Sequence, residues 1–227
     1  MGDPLADPGS TSRTRIHRLP EKAVHDRDVA YAILDAGLVG HVAVNIDGQP
    51  HVTPMGYGRH GDDIVLHGSR ASRLMKALAS GAPLCLNVTL LDGMVMARSL
   101  FESSMHYRSA TVYGSAHEVS DDALMPALEA LSEHLMPGRW NQARQPSPKE
   151  LRATLTLAVP LDEIAVKVSA EEPVDTPEDH EDPRIAALWA GVIPIERAWG
   201  VPRADDRTPP GSPAPAIIAS WNPPSSP

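Results

Sequence analysis

Apolar positions along this chain recur with two periods, and the switches between them lay out its elements. In residues 26–38, Val29, Ala30, Ile33 and Leu34 fall at helical spacing. Asp26 or Asp28 caps this helix and Gly37 ends it. The period then becomes two. Val42, Val44 and Ile46 alternate with His41, Ala43 and Asn45, and Asp47-Gly48 marks a hairpin turn. A second strand begins at Val52 with Pro54 inside it; proline cannot donate to a ladder, so this strand belongs at an edge or a bulge. His60-Gly61-Asp62-Asp63 turns the chain into a strand over residues 64–67, and residues 70–79 are helical again, closed by Gly81. Residues 84–89 and 94–98 read as two strands with a turn at Asp92-Gly93, and residues 107–113 as another, stopping at Gly114. Leu124, Leu128, Leu131 and Leu135 share one face of a helix over residues 121–136, ended by Pro137-Gly138. Strands over 151–159 and 164–168 follow, then a short helix over 183–188 before WAGVIPIERAWG.

Six or seven strands with few helices and short turns predict a mainly β fold, an antiparallel barrel rather than alternating βαβ units. Residues 1–20 are polar and read as a flexible N-terminal segment, residues 21–201 as one folded domain, and residues 202–227, with eight prolines, as an extended tail. Ile217, Ile218 and Trp221 are the only large apolar residues of that tail; the remainder is expected to be dispensable for folding. No GxGxxG or GxxxxGK[ST] run is present, which argues against a Rossmann or P-loop nucleotide site.

Composition narrows the partners. A formal net charge of −9 disfavours nucleic acid and anionic membrane surfaces. No apolar run approaches the ~18 residues of a membrane span, and the first residues lack the apolar core of a secretory signal. The single cysteine, Cys85, lies in the apolar run PLCLNV and excludes an intrachain disulfide; a cytoplasmic protein is expected. Within the acidic chain, residues 59–108 carry more Arg and Lys than Asp and Glu, which suits a small anionic ligand, while the acidic run 171–181 reads as a solvated linker.

The densest chemistry lies at the strand–turn–helix junction DIVLHGSRASRLMKAL, residues 63–78. Ser69, Arg70, Ser72 and Arg73 gather hydroxyls, guanidinium groups and the free N–H groups of a helix start, a set suited to a phosphate monoester. The same residues also serve as a helix cap and surface charges. His67 ends the preceding strand, as a pocket wall or a satisfied core residue. A second polar cluster, SLFESSMHYRSATVYG over 99–114, holds Ser103, Ser104, His106, Tyr107, Arg108 and Ser109; Glu102 or Glu118 is a candidate ion-pair partner for Arg108. The histidines form no HxH or HExxH spacing, so no metal site is expected. Trp189 and Trp199 flank VIPIER, Trp189 as a core residue.

Several of these segments resemble, in order, the pyridoxamine 5′-phosphate oxidase-like, FMN-binding split-barrel superfamily, and within it the flavin-nucleotide-binding proteins related to 5-nitroimidazole resistance proteins. The carriers are IDGQPHVTPMGYG (46–58), IVLHGSRASRLMKAL (64–78), DGMVMARSLFESSMHYRSATVYGSA (92–116), PGR (137–139), KV (167–168) and WAGVIPI (189–195). The resemblance implies an antiparallel split barrel with peripheral helices, a homodimer binding FMN between subunits, and flavin-mediated hydride or electron transfer on a small molecule. It places His51, Thr53 and Pro54 beside the flavin ring and His67 and Gly68 at its border. It places Ser72 and Arg73, with Ser69 and Arg70, on the phosphate, and Arg108 and Ser109 near the ring or ribityl chain. Trp199 would cover the ring, and His67 or His106 would donate a proton. The alternative it leaves open is a non-redox binder of flavin or of haem, with His51, His67 or His106 as iron ligand.

Overall fold

The structure, a computed structural model, describes residues 5–221. The first half of the chain gives β1 (Ala23–Val24), α1 (Arg27–Ala36), β2 (Val39–Ile46), β3 (Gln49–His60), β4 (Asp63–Ser69), α2 (Arg73–Ala79), β5 (Pro83–Met96) and β6 (Ser104–Ser115). The second half gives β7 (His117–Glu118), α3 (Leu124–Leu135), α4 (Pro148–Ala153), β8 (Thr154–Pro160), β9 (Glu163–Ser169), α5 (Pro177–Glu181), α6 (Pro183–Ala186) and β10 (Gly191–Pro194).

The ten strands form one open antiparallel sheet in the order β1-β9-β6-β5-β2-β3-β4-β8-β7, with β10 on β5. Only Ala116 separates β6 from β7, and β7 pairs with β8, so the sheet curls until its far end meets the strand it started from. The mainly β, antiparallel architecture with peripheral helices is the one expected. The strand count exceeds six or seven because β1, β7 and β10 are two to four residues long, too short to leave a period in the sequence.

Local chemistry sets the elements that carry the site. Asp26 caps α1 by accepting from the Asp28 N–H, and Gly37 closes it. Asp47 and Gly48, both at positive φ, form the two-residue turn joining β2 and β3. β3 pairs with β2 over residues 49–56 but with β4 only over 57–60, so Pro50 and Pro54 lie where one edge of the strand carries no ladder. Ser72 caps α2 through the Met75 N–H, and the helix begins at Arg73 because residues 69–72 are taken up by a turn. The helix over the leucine stripe buries Ala127 and Leu131 on β3 and β4, with Leu124, Leu128 and Leu135 half-buried. Gly58 permits this approach: a Cβ there would lie 2.5 Å from the Leu131 Cα. The core fills the space between α1, α2 and the sheet, with Tyr57, Ile33, Leu34, Leu66, Leu86 and Leu157 fully buried.

Four expectations need correction. Residues 84–98 are not two strands around a turn; β5 runs unbroken with a bulge between Leu91 and Gly93. Asp92 is the extra residue, its carboxylate held by Arg108 on β6 and its carbonyl accepting from the Ile195 N–H. Gly93 serves close approach rather than reversal, since a Cβ there would lie 2.9 Å from the Ile193 carbonyl oxygen of β10. The strand expected from Leu151 starts at Thr154, because Ser147 and Glu150 form a capping box that makes residues 148–153 helical. Trp189 is 63% exposed, outside the core, because it packs beside Gly191 on the outer side of β10. The acidic run is not simply a solvated linker: Thr176 and Asp179 box-cap α5, and Asp175 binds the Arg98 N–H and guanidinium at 2.8 and 2.5 Å. Ahead of β1, the N-terminal segment lies along β9, with the Gly9 N–H on the Ile164 carbonyl and the Thr11 hydroxyl on Glu163, each at 2.8 Å.

Candidate functional site

The chemistry-bearing residues form two separate clusters. The first lies where β3 and β4 part. Their ladder ends at the Tyr57–Leu66 pair; beyond it β3 follows β2 while β4 follows β8. His51 and Thr53 are half-buried on the unpaired stretch of β3, and Pro54 is exposed there. His67, Gly68 and Ser69 occupy the end of β4. His67 has an open surface, yet the protein around it desolvates the ring and holds its pKa below the ordinary value. Across from it on β8, the buried Thr156 hydroxyl has no hydrogen-bond partner among the described residues. Gly68 faces Met75, whose Cγ would lie 2.9 Å from a Cβ at this position.

In the turn that follows, Ser69 Oγ accepts from the Ala71 N–H and Ser72 Oγ from the Met75 N–H, so both hydroxyl hydrogens remain available. Arg70 is paired with Glu118 on β7. Arg73 is exposed and makes no ion pair among the described residues.

The second cluster lines a cleft of about 760 Å³. Its walls come from the end of α1 and start of β2 (Gly37, Leu38, His41), the middle of β5 (Val88, Leu90), the end of α3 (His134, Leu135) and residues 195–199. Trp221 of the tail completes the wall. Arg108 reaches it from β6, its Nε and Nη2 both on Asp92 at 2.9 Å, a fork that raises its already high pKa. Neither Glu102 nor Glu118 is the partner. Trp199 and Trp221 meet edge to face, ring centroids 5.6 Å apart. His134 donates its Nε2–H to the Gly37 carbonyl at 2.7 Å and packs against the Tyr57 ring; burial lowers its pKa, with the Gly37 bond opposing. Tyr57, beneath them, donates its hydroxyl to the Leu34 carbonyl.

Of the expected site residues, only Arg108 and Trp199 line this cleft. Ser109 lies next to Arg108 on β6, paired with Thr89. His51, Thr53, Pro54 and the segment from His67 to Arg73 belong to the first cluster. His106 stands apart from both, its Nε2–H donated to the Glu171 carbonyl at 2.8 Å. His41, His134 and Trp221 were not singled out as site residues from sequence. The available signal was weak: a histidine alternating with Val42 and Val44, and another between Leu131 and Leu135 on a core-facing helix.

A family model described as pyridoxamine 5′-phosphate oxidase matches residues 26–168. The chain belongs to this family. Its fold agrees with two solved structures at comparable identity. The FAD and haem binding protein from Mycobacterium smegmatis is 40% identical, with a TM-score of 0.84, over 88% of this chain and 97% of that one. The flavocytochrome Anf3 from Azotobacter vinelandii is 38% identical, with a TM-score of 0.84, over 96% of this chain and 98% of that one. A 5-nitroimidazole antibiotic resistance protein from Bacteroides thetaiotaomicron shares the fold at 21% identity and a TM-score of 0.56, over 64% of this chain and 86% of that one. No curated protein matches. In this family member, no helix of the described residues is long and apolar enough to cross a membrane.

Proposed function

We propose that this chain is a flavin-dependent oxidoreductase acting on a small molecule, holding FMN, or the FMN portion of FAD, where two protomers meet. The observation that carries the reading is the 40% identity, over 88% of the chain, to a protein described as FAD and haem binding. The donor set fits. Arg73 is a free guanidinium beside two hydroxyls with hydrogens to donate, which suits the phosphate; Arg70, engaged by Glu118, contributes less. The cleft offers an apolar floor, two indoles and the fixed Arg108–Asp92 pair, which suits a flat heteroaromatic ring. The two clusters share no lining residue within one chain. In a homodimer the turn of one protomer serves the same ligand as the cleft of its partner, and the exposed Met94, Met96, Met105 and Ile193 are candidates for the covered face.

Bound flavin supplies hydride or electron transfer; the protein binds it, orients it and keeps water from it. His67, its ring free of hydrogen bonds among the described residues and biased to the neutral form, holds or delivers a proton at the ring border. A second reading adds haem, because both relatives near 40% identity are described as haem binding or as a flavocytochrome. His51 and His67 are its candidate ligands; His106 already donates Nε2–H to a carbonyl.

The absorption spectrum and the mass of the ligand released from purified protein identify the bound group. Arg73→Ala weakens flavin binding by about 1.5–3 kcal/mol, the range for a charged hydrogen bond. Unchanged affinity in that variant removes the phosphate assignment, and a flavin-loaded monomer in light scattering removes the shared site.

A further inference from the structure

From Pro202 onward the chain is rich in proline and short of large apolar side chains, the composition of a dispensable tail. Its far end is nevertheless bound to the cleft by three contacts. Residues Ala216–Ser220 form a 3-10 turn that sets Ile217 over Gly138, where a Cβ would come within 3.2 Å of the isoleucine Cγ2. Gly138 is at φ 78, a conformation glycine adopts without strain. Trp221 donates its Nε1–H to the Pro137 carbonyl at 2.9 Å. Trp221 also packs against Trp199, the rings 63° from parallel. Both indoles belong to the cleft wall. On their other side lies a second cavity of about 680 Å³ between residues 197–202 and the tail, with Pro202, Pro215 and Ile218 in its walls. Without the tail, Trp199 would therefore have open space on the side away from the cleft.

We propose that the Pro-rich tail is a wall of the ligand site, in which Trp221 is a positioning residue that holds the Trp199 indole against a planar heteroaromatic ligand in the cleft. The inference rests on the reading of that cleft as the flavin-ring site. Trp199 sits in a segment that is half open to solvent and has no regular secondary structure; its indole is 51% exposed even with the tail in place. A stacking wall works only if its plane is fixed before the ligand arrives. The Pro137 carbonyl fixes Trp221, and Trp221 fixes Trp199. The prolines assist, because a chain already restricted in φ loses less entropy when its end is tied down.

The test compares the full chain with Trp221→Ala, Trp221→Phe and a truncation after Pro202. Three quantities are read: FMN and FAD dissociation constants from flavin fluorescence, hydrogen exchange of residues 195–201, and melting temperature. Trp221→Ala and the truncation weaken flavin about three- to tenfold, the scale of one aromatic pair. They also speed exchange at residues 195–201, with a melting shift of only a few degrees. Trp221→Phe, which keeps the ring contact but loses the Pro137 bond, falls between them and the full chain. Wild-type affinity and wild-type exchange in Trp221→Ala overturn the proposal. A full chain that binds neither flavin overturns the flavin reading instead; the positioning role is then judged by exchange alone, and unchanged exchange at 195–201 defeats it. If the truncation does not fold, the two point variants decide.

Discussion

The Arg108–Asp92 fork should be worth about 2 kcal/mol of coupling, and a double-mutant cycle measures it. The two groups form parallel Nε and Nη2 bonds of 2.9 Å, and their side chains are 18% and 25% exposed. Hydrogen bonds to charged groups contribute about 1.5–3 kcal/mol each in protected surroundings. Fully exposed ion pairs give about 0.2–1 kcal/mol. A bidentate pair shielded over most of its surface falls between those limits, and its second bond adds less than its first because both arms are fixed together. Arg108→Ala and Asp92→Ala should each lower unfolding free energy by about 2–3 kcal/mol, and the double variant by little more than the worse single change. Urea denaturation of the four proteins, with the slope m checked for constancy, gives the coupling directly. Arg108→Lys retains the charge but cannot form the fork, and should lose about 1 kcal/mol. A coupling below about 0.5 kcal/mol would mean that the pair is solvated and that the β5 bulge is held by the Asp92 main chain alone.

Two further outcomes follow from the packing and from the buried imidazole. Gly58→Ala puts a Cβ 2.5 Å from the Leu131 Cα, and since the obstacle is backbone, α3 must lift off β3; a loss of at least about 2–3 kcal/mol in urea is expected, and an unchanged midpoint would contradict the contact. Burial depresses the His134 pKa, so the unfolded chain takes up a proton that the folded one resists. Stability is therefore flat above the unfolded value near 6.5 and falls as pH drops below it until the folded pKa is passed, by at most about 1.4 kcal/mol per pH unit. His134→Gln should flatten the part of the slope between pH 7 and 5 that belongs to this residue; an identical slope in the variant would assign the dependence elsewhere.

Features of the fold that rest on neighbours in sequence were legible. The α1 cap at Asp26, the Asp47-Gly48 hairpin and the leucine face of α3 each depend on residues within a turn or two of one another, and the structure shows them as expected. Features that depend on a distant partner were not. Asp-Gly at 92–93 carries a turn signature, but Arg108 and the Ile195 N–H take the Asp92 groups that a turn would use, and β10 lies too close for any residue but glycine at 93. The helical start at Pro148 was hidden because Leu151 joins the apolar run of β8, so periodicity merged two elements that only the Ser147–Glu150 cap divides.

The same distinction explains why half of the candidate site was readable. The Ser69–Arg73 turn is contiguous, and its hydroxyls and guanidinium groups announce themselves in five residues. The cleft instead takes pieces from α1, β2, β5, β6, α3, residues 195–199 and Trp221, and no piece alone carries an unusual residue pattern. Arg108 and Trp199 were reached only through family resemblance. Trp221 was noticed as an apolar exception in a polar tail, but its role depends on a carbonyl at Pro137, 84 residues away. A site divided in this way gives each cluster a separate constraint: the turn must keep a guanidinium free, and the cleft must keep a ring plane fixed. Arg73 lacks an ion pair although Arg70, three residues earlier, has one, and Trp199 is braced although its backbone is irregular. These two departures from ordinary surface behaviour fall at the two ends of the proposed ligand, where binding requires them.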